Sequence, residues 1–477
     1  MIGLEALFTM KRLEWAMIAA LILAASAQAQ APSLRVEGRH FVDQLDRVVI
    51  LRGINLAGDS KVPPFVPLDD PAQLDPLPEL GFNVVRLVVS WEALEPRPGL
   101  YDRAYVARMK AIAAGCAARG LYVVIDIHQD GFSRYLSRGS GDGFPPWAVS
   151  PRARLFQPDN GPRCADWPIR MALDYGMHRS FRDFYSDANG VRTRYLAMVR
   201  LLAREFAAVP LVIGYDLLNE PWGRERSELP ALYDDAARAV RAEHPAAILF
   251  IEGHVTTNCG LQTRLTRPEF GNYAYSPHYY KPTAILSGAW RGSTGTIDWA
   301  FANMDAKAAE WNVPIFLSEF GAPAENRRAG DYVAYLYNQL DSGFSSGAQW
   351  NYTPHWTPQA KDGWNGEDFN ILFGASRIRG NFRPRPFPRA IAGMPRQFRY
   401  EEAATGRRAV VEVAWDARPE RGDTEIYLPR TVFPAGSEIT HDPLDLAIRY
   451  DPARQVIAIA AARPGRVRLR VVSAIDP

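Results

Sequence analysis

A (β/α)8 barrel followed by a small C-terminal antiparallel β-sandwich is the fold predicted by this 477-residue sequence, and three observations carry it. From about residue 47 to 353, short apolar runs alternate with amphipathic stretches, the pattern of repeated βα units around a parallel sheet. Eight apolar runs occur there, enough to close a barrel. Beyond about Arg396 the apolar period changes to two, which is the mark of half-solvated antiparallel strands.

The elements follow in chain order. Lys11 and Arg12 precede an apolar run from Trp15 to Ala25, and Ala27-Gln28-Ala29 supplies the small-x-small pattern of signal peptidase cleavage. That run is too short to span a bilayer. Residues 1–29 are therefore expected to be a signal peptide, and the mature chain to be exported to a periplasm or the cell exterior. Barrel strands are expected at Val49–Leu56, Val84–Trp91, Tyr122–His128, Val212–Asn219, Ile248–Glu252, Ala274–His278, Ile315–Glu319 and Ala348–Tyr352. Between them Tyr105–Arg119, Thr193–Ala207, Leu229–His244, Ile297–Trp311 and Gly330–Ser342 carry apolar residues at helical spacing. The third strand is followed by a long insertion, Gln129 to Gly190, without obvious secondary structure but with Phe132, Tyr135, Phe144, Trp147, Phe156 and Trp167. A loop of that length is functional or disordered, and its aromatics argue for function. Asn381–Arg389 reads as a stiff, Pro-rich connector. After it Ala409, Val411, Val413 and Trp415 share one face, and Val467, Leu469 and Val471 interleave with Arg466, Arg468 and Arg470. The expected domains are thus the catalytic barrel over 30–394 and the sandwich over 395–477.

Composition narrows the partners. The 55 Lys plus Arg nearly cancel the 53 Asp plus Glu, so charge offers no reason to expect nucleic acid. Twelve Trp and twenty Tyr suit the flat faces of pyranose rings as well as core packing. Cys116, Cys164 and Cys259 have no metal-ligand spacing, and neither a metal nor another cofactor is expected. Cys116 falls in a helical pattern and should be buried, while Cys164 and Cys259 both fall near the catalytic rim and are expected to pair.

The chemistry is written at strand ends. Glu220 lies in Leu217-Leu218-Asn219-Glu220-Pro221-Trp222 and Glu319 in Leu317-Ser318-Glu319-Phe320-Gly321, each closing an apolar run. In a parallel barrel both carboxylates emerge at the rim where active sites are built. One acid and one nucleophile, about 5 Å apart, perform the double displacement of a retaining glycosidase. Most glutamates of any chain face solvent, so the weight rests on the two matching contexts. Other strand-end residues fit around them. Arg86 can hydrogen-bond Glu319, Tyr280 can donate to the same carboxylate, and His128 and Asp130 can meet sugar hydroxyls. Asn219 can reach the sugar 2-hydroxyl, and Trp350 can floor the subsite where cleavage occurs.

With these motifs in view, the barrel resembles glycoside hydrolase family five. The segment Arg86-Leu-Val-Val-Ser-Trp91-Glu-Ala-Leu-Glu-Pro, Asn219-Glu220-Pro221 and Ser318-Glu319-Phe320-Gly321 carry the resemblance. Within the family, His128-Gln129-Asp130-Gly-Phe-Ser-Arg134, Gly-Phe-Pro-Pro-Trp147-Ala and Phe387-Pro-Arg-Ala-Ile-Ala-Gly393 resemble the endoglycoceramidase-like subgroup, which releases glycan from ceramide. The resemblance implies Glu220 as acid/base, Glu319 as nucleophile, and His128, Asp130, Asn219, Tyr280, Trp350 and, from the long insertion, Trp167 as sugar contacts. It departs from the subgroup at Asp130-Gly131-Phe132, where bulkier residues often follow the Asp. The expected activity is hydrolysis of the O-glycosidic bond of a glycolipid, with transient contact with a lipid surface. The alternatives are a β-glucanase, a cellulase or an exo-β-glucosidase acting on oligo- or polysaccharide. A non-catalytic carbohydrate-binding protein on the same scaffold would tolerate loss of either glutamate, and this chain keeps both.

Overall fold

The computed structural model describes residues 33–159, 167–374 and 377–474. The expected signal peptide lies outside the described residues. Eight parallel strands form the barrel: β1 (Arg52–Leu56), β2 (Val84–Ser90), β3 (Tyr122–His128), β4 (Val212–Asp216), β5 (Ile248–Ile251), β6 (Tyr273–Tyr275), β7 (Phe316–Leu317) and β8 (Ser346–Tyr352). Their order is β7-β8-β1-β2-β3-β4-β5-β6, and a parallel bridge from Tyr275 to Ile315 closes the ring. Just beyond, His278 and Tyr279 pair with Glu319 and Phe320, so the closure continues to the catalytic end.

Strand periodicity decides what fills the barrel. Successive side chains alternate between faces. Val85, Leu87 and Val89 of β2 pack outward under the helices, while Val84 joins Val124, Ile213, Ile248, Phe250 and Phe316 in an interior apolar layer. Phe41, from the strand His40–Val42, seals that layer with its ring centroid 6.2 Å from Phe250 and 6.5 Å from Phe316. Further along the same strands the inward face carries Arg86 and Asp126, two residues beyond Val84 and Val124, and Asp216, three beyond Ile213 because β4 has a register shift there. The barrel is thus apolar below and charged at its catalytic end.

The expected helices are present at Arg103–Ala118, Val191–Phe206, Glu228–Arg241, Gly295–Trp311 and Ala329–Ser342. The long insertion departs from expectation, for its described residues include two α-helices, α1 (Trp167–Leu173) and α2 (Tyr175–Tyr185). Asp174 caps α2 by accepting from the Met177 amide, and Met177, Phe181 and Phe184 bury one face. Gly and Pro in the first half of the insertion hide this three-to-four spacing in the second. Most of its aromatics pack the insertion onto the barrel. Phe132 and Phe144 stack at 4.1 Å, and Trp147 meets Trp91 at 5.2 Å.

The C-terminal sandwich also recruits the N-terminus. One sheet has four strands, Gly393–Glu401, Val410–Ala417, Gly465–Val472 and Glu438–Asp442. The other has seven, and Arg35–Glu37, His40–Val42 and Val48–Val49 join it beside Phe387–Ile391. Part of the expected Pro-rich connector is therefore a strand, with Pro388 beside a register shift that spares it a ladder bond. The position expected for the domain boundary, 394/395, falls inside the strand Gly393–Glu401. Val411, Val413, Trp415, Val467, Leu469 and Val471 fill the core between the sheets, as their spacing requires.

Candidate active site

Arg86 is the centre of the charged layer. It is fully buried, and its guanidinium reaches Asp126 at 2.9 Å, Asp216 at 3.0 Å, Glu252 at 3.2 Å and Glu319 at 2.8 Å. It also donates to the side-chain oxygens of Asn55 and Asn219. Five donors in one rigid fork serve most of these acceptors, which a lysine could not, while Asp126 Oδ1 is held by charge without a hydrogen bond. Burial works against ionisation of Asp126, yet Arg86 and His128 hold it below the usual carboxylate range. Asp216 goes the other way, driven far up by burial and the neighbouring Glu252 charge.

Glu319 leaves the end of the β7 run with both oxygens gripped. Arg86 donates to Oε1 at 2.8 Å and the Tyr280 hydroxyl donates to Oε2 at 2.9 Å. Glu220 follows β4 and takes a left-handed backbone, φ 41°, unusual for a residue with a side chain. Its amide donates to Glu252, and Gln129 Nε2 donates to the carbonyls of Asn219 and Glu220, so the turn is held from two sides. The Glu220 carboxylate accepts from Asn258 Nδ2 at 2.6 Å and from His278 Nδ1 at 2.8 Å. Burial raises Glu220 to about 7, although the donating His278 pulls the other way.

His278 joins the two glutamates. Its Nδ1 is 2.8 Å from Glu220 and 3.6 Å from Glu319, and its Nε2 is 3.2 Å from Glu252. Burial alone would lower its pKa, but Glu252 and Glu319 raise it far above the usual imidazole range. One ligand atom each from Glu220, His278 and Glu319 lie within 4.8 Å of one another. That closeness fits the closely spaced carboxyl pair of retaining glycosidases.

A cavity of about 590 Å³ opens onto these groups. Its polar end is lined by Lys61, Asp130, Glu220, Glu319, Tyr280 and Trp350. Lys61 donates to Asp130 at 2.6 Å and lies over the rings of Trp350 and Trp364, at 4.6 and 3.9 Å. Despite burial, Lys61 and His128 hold Asp130 well below the usual carboxylate range. The rest of the cavity lining is largely apolar, with Met171, Phe181, Ile285 and Leu286. A second acidic group, His128 with Asp130 and Asp142, could geometrically hold a metal ion, but the Lys61 ammonium already occupies its charge balance, 2.6 Å from Asp130 and 3.9 Å from Asp142.

Each sequence-derived residue has a definite place. Asp130, Tyr280, Trp350 and Trp167 line the cavity with the two glutamates. His128 and Asn219 lie behind that wall, 3% and 1% exposed. His128 stacks on Trp350, centroids 5.6 Å apart, and Asp126 raises it to about 10 against the opposing effect of burial. Asn219 is committed, accepting from Arg86 and donating to the Gln129 carbonyl. Of the six aromatics named in the insertion, Trp167 alone among the described residues lines the cavity, and Met171, Met177 and Phe181 join it to form one wall of an apolar trough. Sequence reading missed Lys61, Glu252, Asn258 and His278. The strand-end position of His278, paired with Glu319, is a signal that could have found it. Cys116 is buried, and the Cys259 thiol is exposed and donates to the Thr256 carbonyl. The expected Cys164–Cys259 pair involves Cys164, which lies outside the described residues.

Comparison with known proteins assigns the scaffold. The family model described as cellulase (glycosyl hydrolase family 5) matches residues 49–355, and that for the glycoside hydrolase family 5 C-terminal domain matches 385–471. The chain belongs to glycoside hydrolase family 5. Family 5 membership makes it a retaining glycoside hydrolase, in keeping with the spacing of Glu220 and Glu319. Endoglycoceramidase I of Rhodococcus hoagii is 27% identical over 468 residues, covering 92% of this chain and 88% of that protein. The solved endo-glycoceramidase II from Rhodococcus sp., captured as a lactosyl-enzyme intermediate, is 25% identical with a TM-score of 0.75, covering 92% of this chain and 100% of the other. A glucosylceramidase of Cryptococcus neoformans is 36% identical over 138 residues, which is 25% of this chain and 18% of that protein.

Proposed function

We propose that this family 5 enzyme hydrolyses the bond between a sugar and a lipid aglycone, with Glu319 as nucleophile and Glu220 as acid/base. The carrying observation is the single cavity that joins a polar sugar end at the two glutamates to an apolar end walled by Met171, Phe181, Ile285 and Leu286. A cellulase cleft has no use for that apolar end. Relatives named for ceramide-linked glycans support the same reading.

In the first step a Glu319 oxygen attacks the anomeric carbon while Glu220 gives its proton to the departing glycosidic oxygen. The pKa of about 7 lets Glu220 hold that proton near neutrality. Tyr280 and Arg86 aim the two Glu319 oxygens, so little reorganisation precedes attack. In the second step Glu220, now ionised, takes a proton from water, and the hydroxide so formed attacks the anomeric carbon and frees Glu319. His278, cationic and touching both carboxylates, favours the charge as it moves between them. Lys61, Asp130 and Trp350 form the surface that holds the sugar. The basic pair Lys11-Arg12 and the apolar run behind it support action after export.

Initial rates on an aryl β-glucoside, cellotetraose, glucosylceramide and a ganglioside test the proposal. Preference for either glycolipid is expected, glucosylceramide indicating exo and ganglioside indicating endo action. Cellotetraose as the best substrate would overturn it.

A further inference from the structure

The wall of the cavity has an outer side with no role in the chemistry above. In α1, Trp167, Pro168, Met171 and Ala172 line the cavity. Ile169 and Leu173 of the same helix instead face solvent, 63% and 79% exposed. Across the mouth, Leu286 of the helix Pro282–Leu286 lines the cavity while remaining 79% exposed. Leu155 and Tyr175, at 52% and 64%, add to the apolar side of the insertion.

Charge accompanies these side chains. Ile169, Leu173 and Tyr175 line a shallow groove of about 540 Å³ together with Arg138, Arg152 and Arg154. Asp174 is the only carboxylate among the described residues lining it, and both its oxygens are occupied by the amides of Ser137 and Met177. Arg154 lies over the Phe156 ring at 5.2 Å, and none of the three arginines has a carboxylate partner among the described residues. The whole chain carries only +2, so this concentration is local.

We propose that this rim, Ile169, Leu173, Tyr175 and Leu286 with Arg138, Arg152 and Arg154, is the surface by which the enzyme docks on an anionic lipid bilayer. Apolar side chains that enter the headgroup boundary, flanked by cations that meet anionic headgroups, are the pair of features by which soluble proteins bind membranes reversibly. A nucleic acid would use the arginines but not the leucines. With the mouth against the bilayer, alkyl chains pass from membrane to the Met171 and Phe181 wall without crossing water, which avoids the cost of exposing each methylene. The inference rests on the glycolipid reading for its purpose, but its test does not.

The full-length enzyme is sedimented with vesicles of phosphatidylcholine alone and of phosphatidylcholine with phosphatidylglycerol, neither containing glycolipid, in about 0.1 M salt, where exposed charges still act over roughly 10 Å. At least tenfold stronger partitioning onto the anionic vesicles is expected. The double variant Ile169→Glu, Leu173→Glu should lose tenfold or more of that binding. Arg138→Glu with Arg152→Glu should lose at least the roughly fivefold per cation that surface electrostatics supplies. Both variants should hydrolyse the best soluble aryl β-glycoside at unchanged kcat/KM, which shows that they fold. Wild type left in the supernatant by both vesicles, or variants that partition like wild type, would overturn the proposal. So would a dimer in sedimentation velocity that Ile169→Glu, Leu173→Glu dissolves without any vesicle binding, since the rim would then cover a second copy. Because the vesicles lack glycolipid, docking can fail while glycolipid in detergent is still cleaved, and can succeed while it is not.

Discussion

Lengthening the aglycone tests the apolar end of the cavity by an amount that can be calculated. Going from an ethyl to an octyl β-glycoside adds six methylenes, each contributing about 0.8 kcal/mol when fully buried. One wall is deep, with Met171 9% and Phe181 2% exposed, and the other is open, with Leu286 79% exposed. About half of each methylene's surface should then leave water. Six half-buried methylenes contribute roughly 2.4 kcal/mol, or about 60-fold in kcat/KM. Initial rates on ethyl, butyl, hexyl and octyl glycosides, kept below KM and below micelle formation, would show about a twofold rise per methylene. Met171→Asp places a charge in the deep wall and should flatten that slope while leaving the ethyl glycoside nearly unaffected. A wild-type rate indifferent to chain length would refute both the trough and the glycolipid assignment.

Glu319→Ala should abolish turnover on every substrate, and azide should restore glycosyl transfer with a product of inverted configuration, because a small anion can enter the vacated nucleophile position; no azide product would remove Glu319 from that role. Glu220→Ala should keep the first step on an aryl glycoside with a good leaving group and accumulate a glycosyl-enzyme that lacks its base, so equal losses on activated and unactivated substrates would contradict the assignment. With Glu220 at about 7, kcat/KM of wild type on an alkyl glycoside should fall as pH rises through that value, since the acid form is lost, and Glu220→Gln should show no such limb. Lys61→Met leaves Asp130 buried without its cation and should cost about 3–5 kcal/mol of stability in urea unfolding at pH 7. In wild type the depressed Asp130 carboxyl stabilises the fold above the unfolded pKa of about 4, and that stabilisation is lost as pH falls. The variant's deficit should therefore shrink toward low pH; a constant deficit would mean that packing against Trp350 and Trp364, not charge, is what Lys61 supplies.

Much of the architecture was legible because strand and helix periods are local properties. Val84, Val85, Arg86 and Leu87 alternate faces in any strand, so the register that puts Arg86 inward follows from the apolar neighbours that must be outward. The same holds for Val411, Val413 and Trp415 in the sandwich. The two glutamate motifs were readable for a related reason, since parallel strands of a barrel end at one rim and a residue after an apolar run must appear there. The helix α2 was also written locally, in Met177, Phe181 and Phe184, though Gly- and Pro-rich neighbours concealed it.

What sequence alone could not decide depends on groups far apart in the chain. Nothing near Lys61 announces that it will sit on Trp350 and Trp364 and neutralise Asp130, because those partners lie 69 to about 300 residues away. His278 becomes the bridge between Glu220 and Glu319 only when ring closure pairs the segments around it. The pKa of Glu220 and the commitment of Asn219 to Arg86 likewise arise from burial and charge that exist only after folding. The N-terminal strands join the C-terminal sheet because Phe41 must cover the barrel floor, a demand visible only once eight strands have left that floor open. Sequence by itself determined the barrel, the sandwich and the pair of carboxylates, since period and strand-end position are read one segment at a time. Tertiary structure alone decided the charge state and the shape of the cavity, because both are sums over neighbours that only the closed barrel brings together.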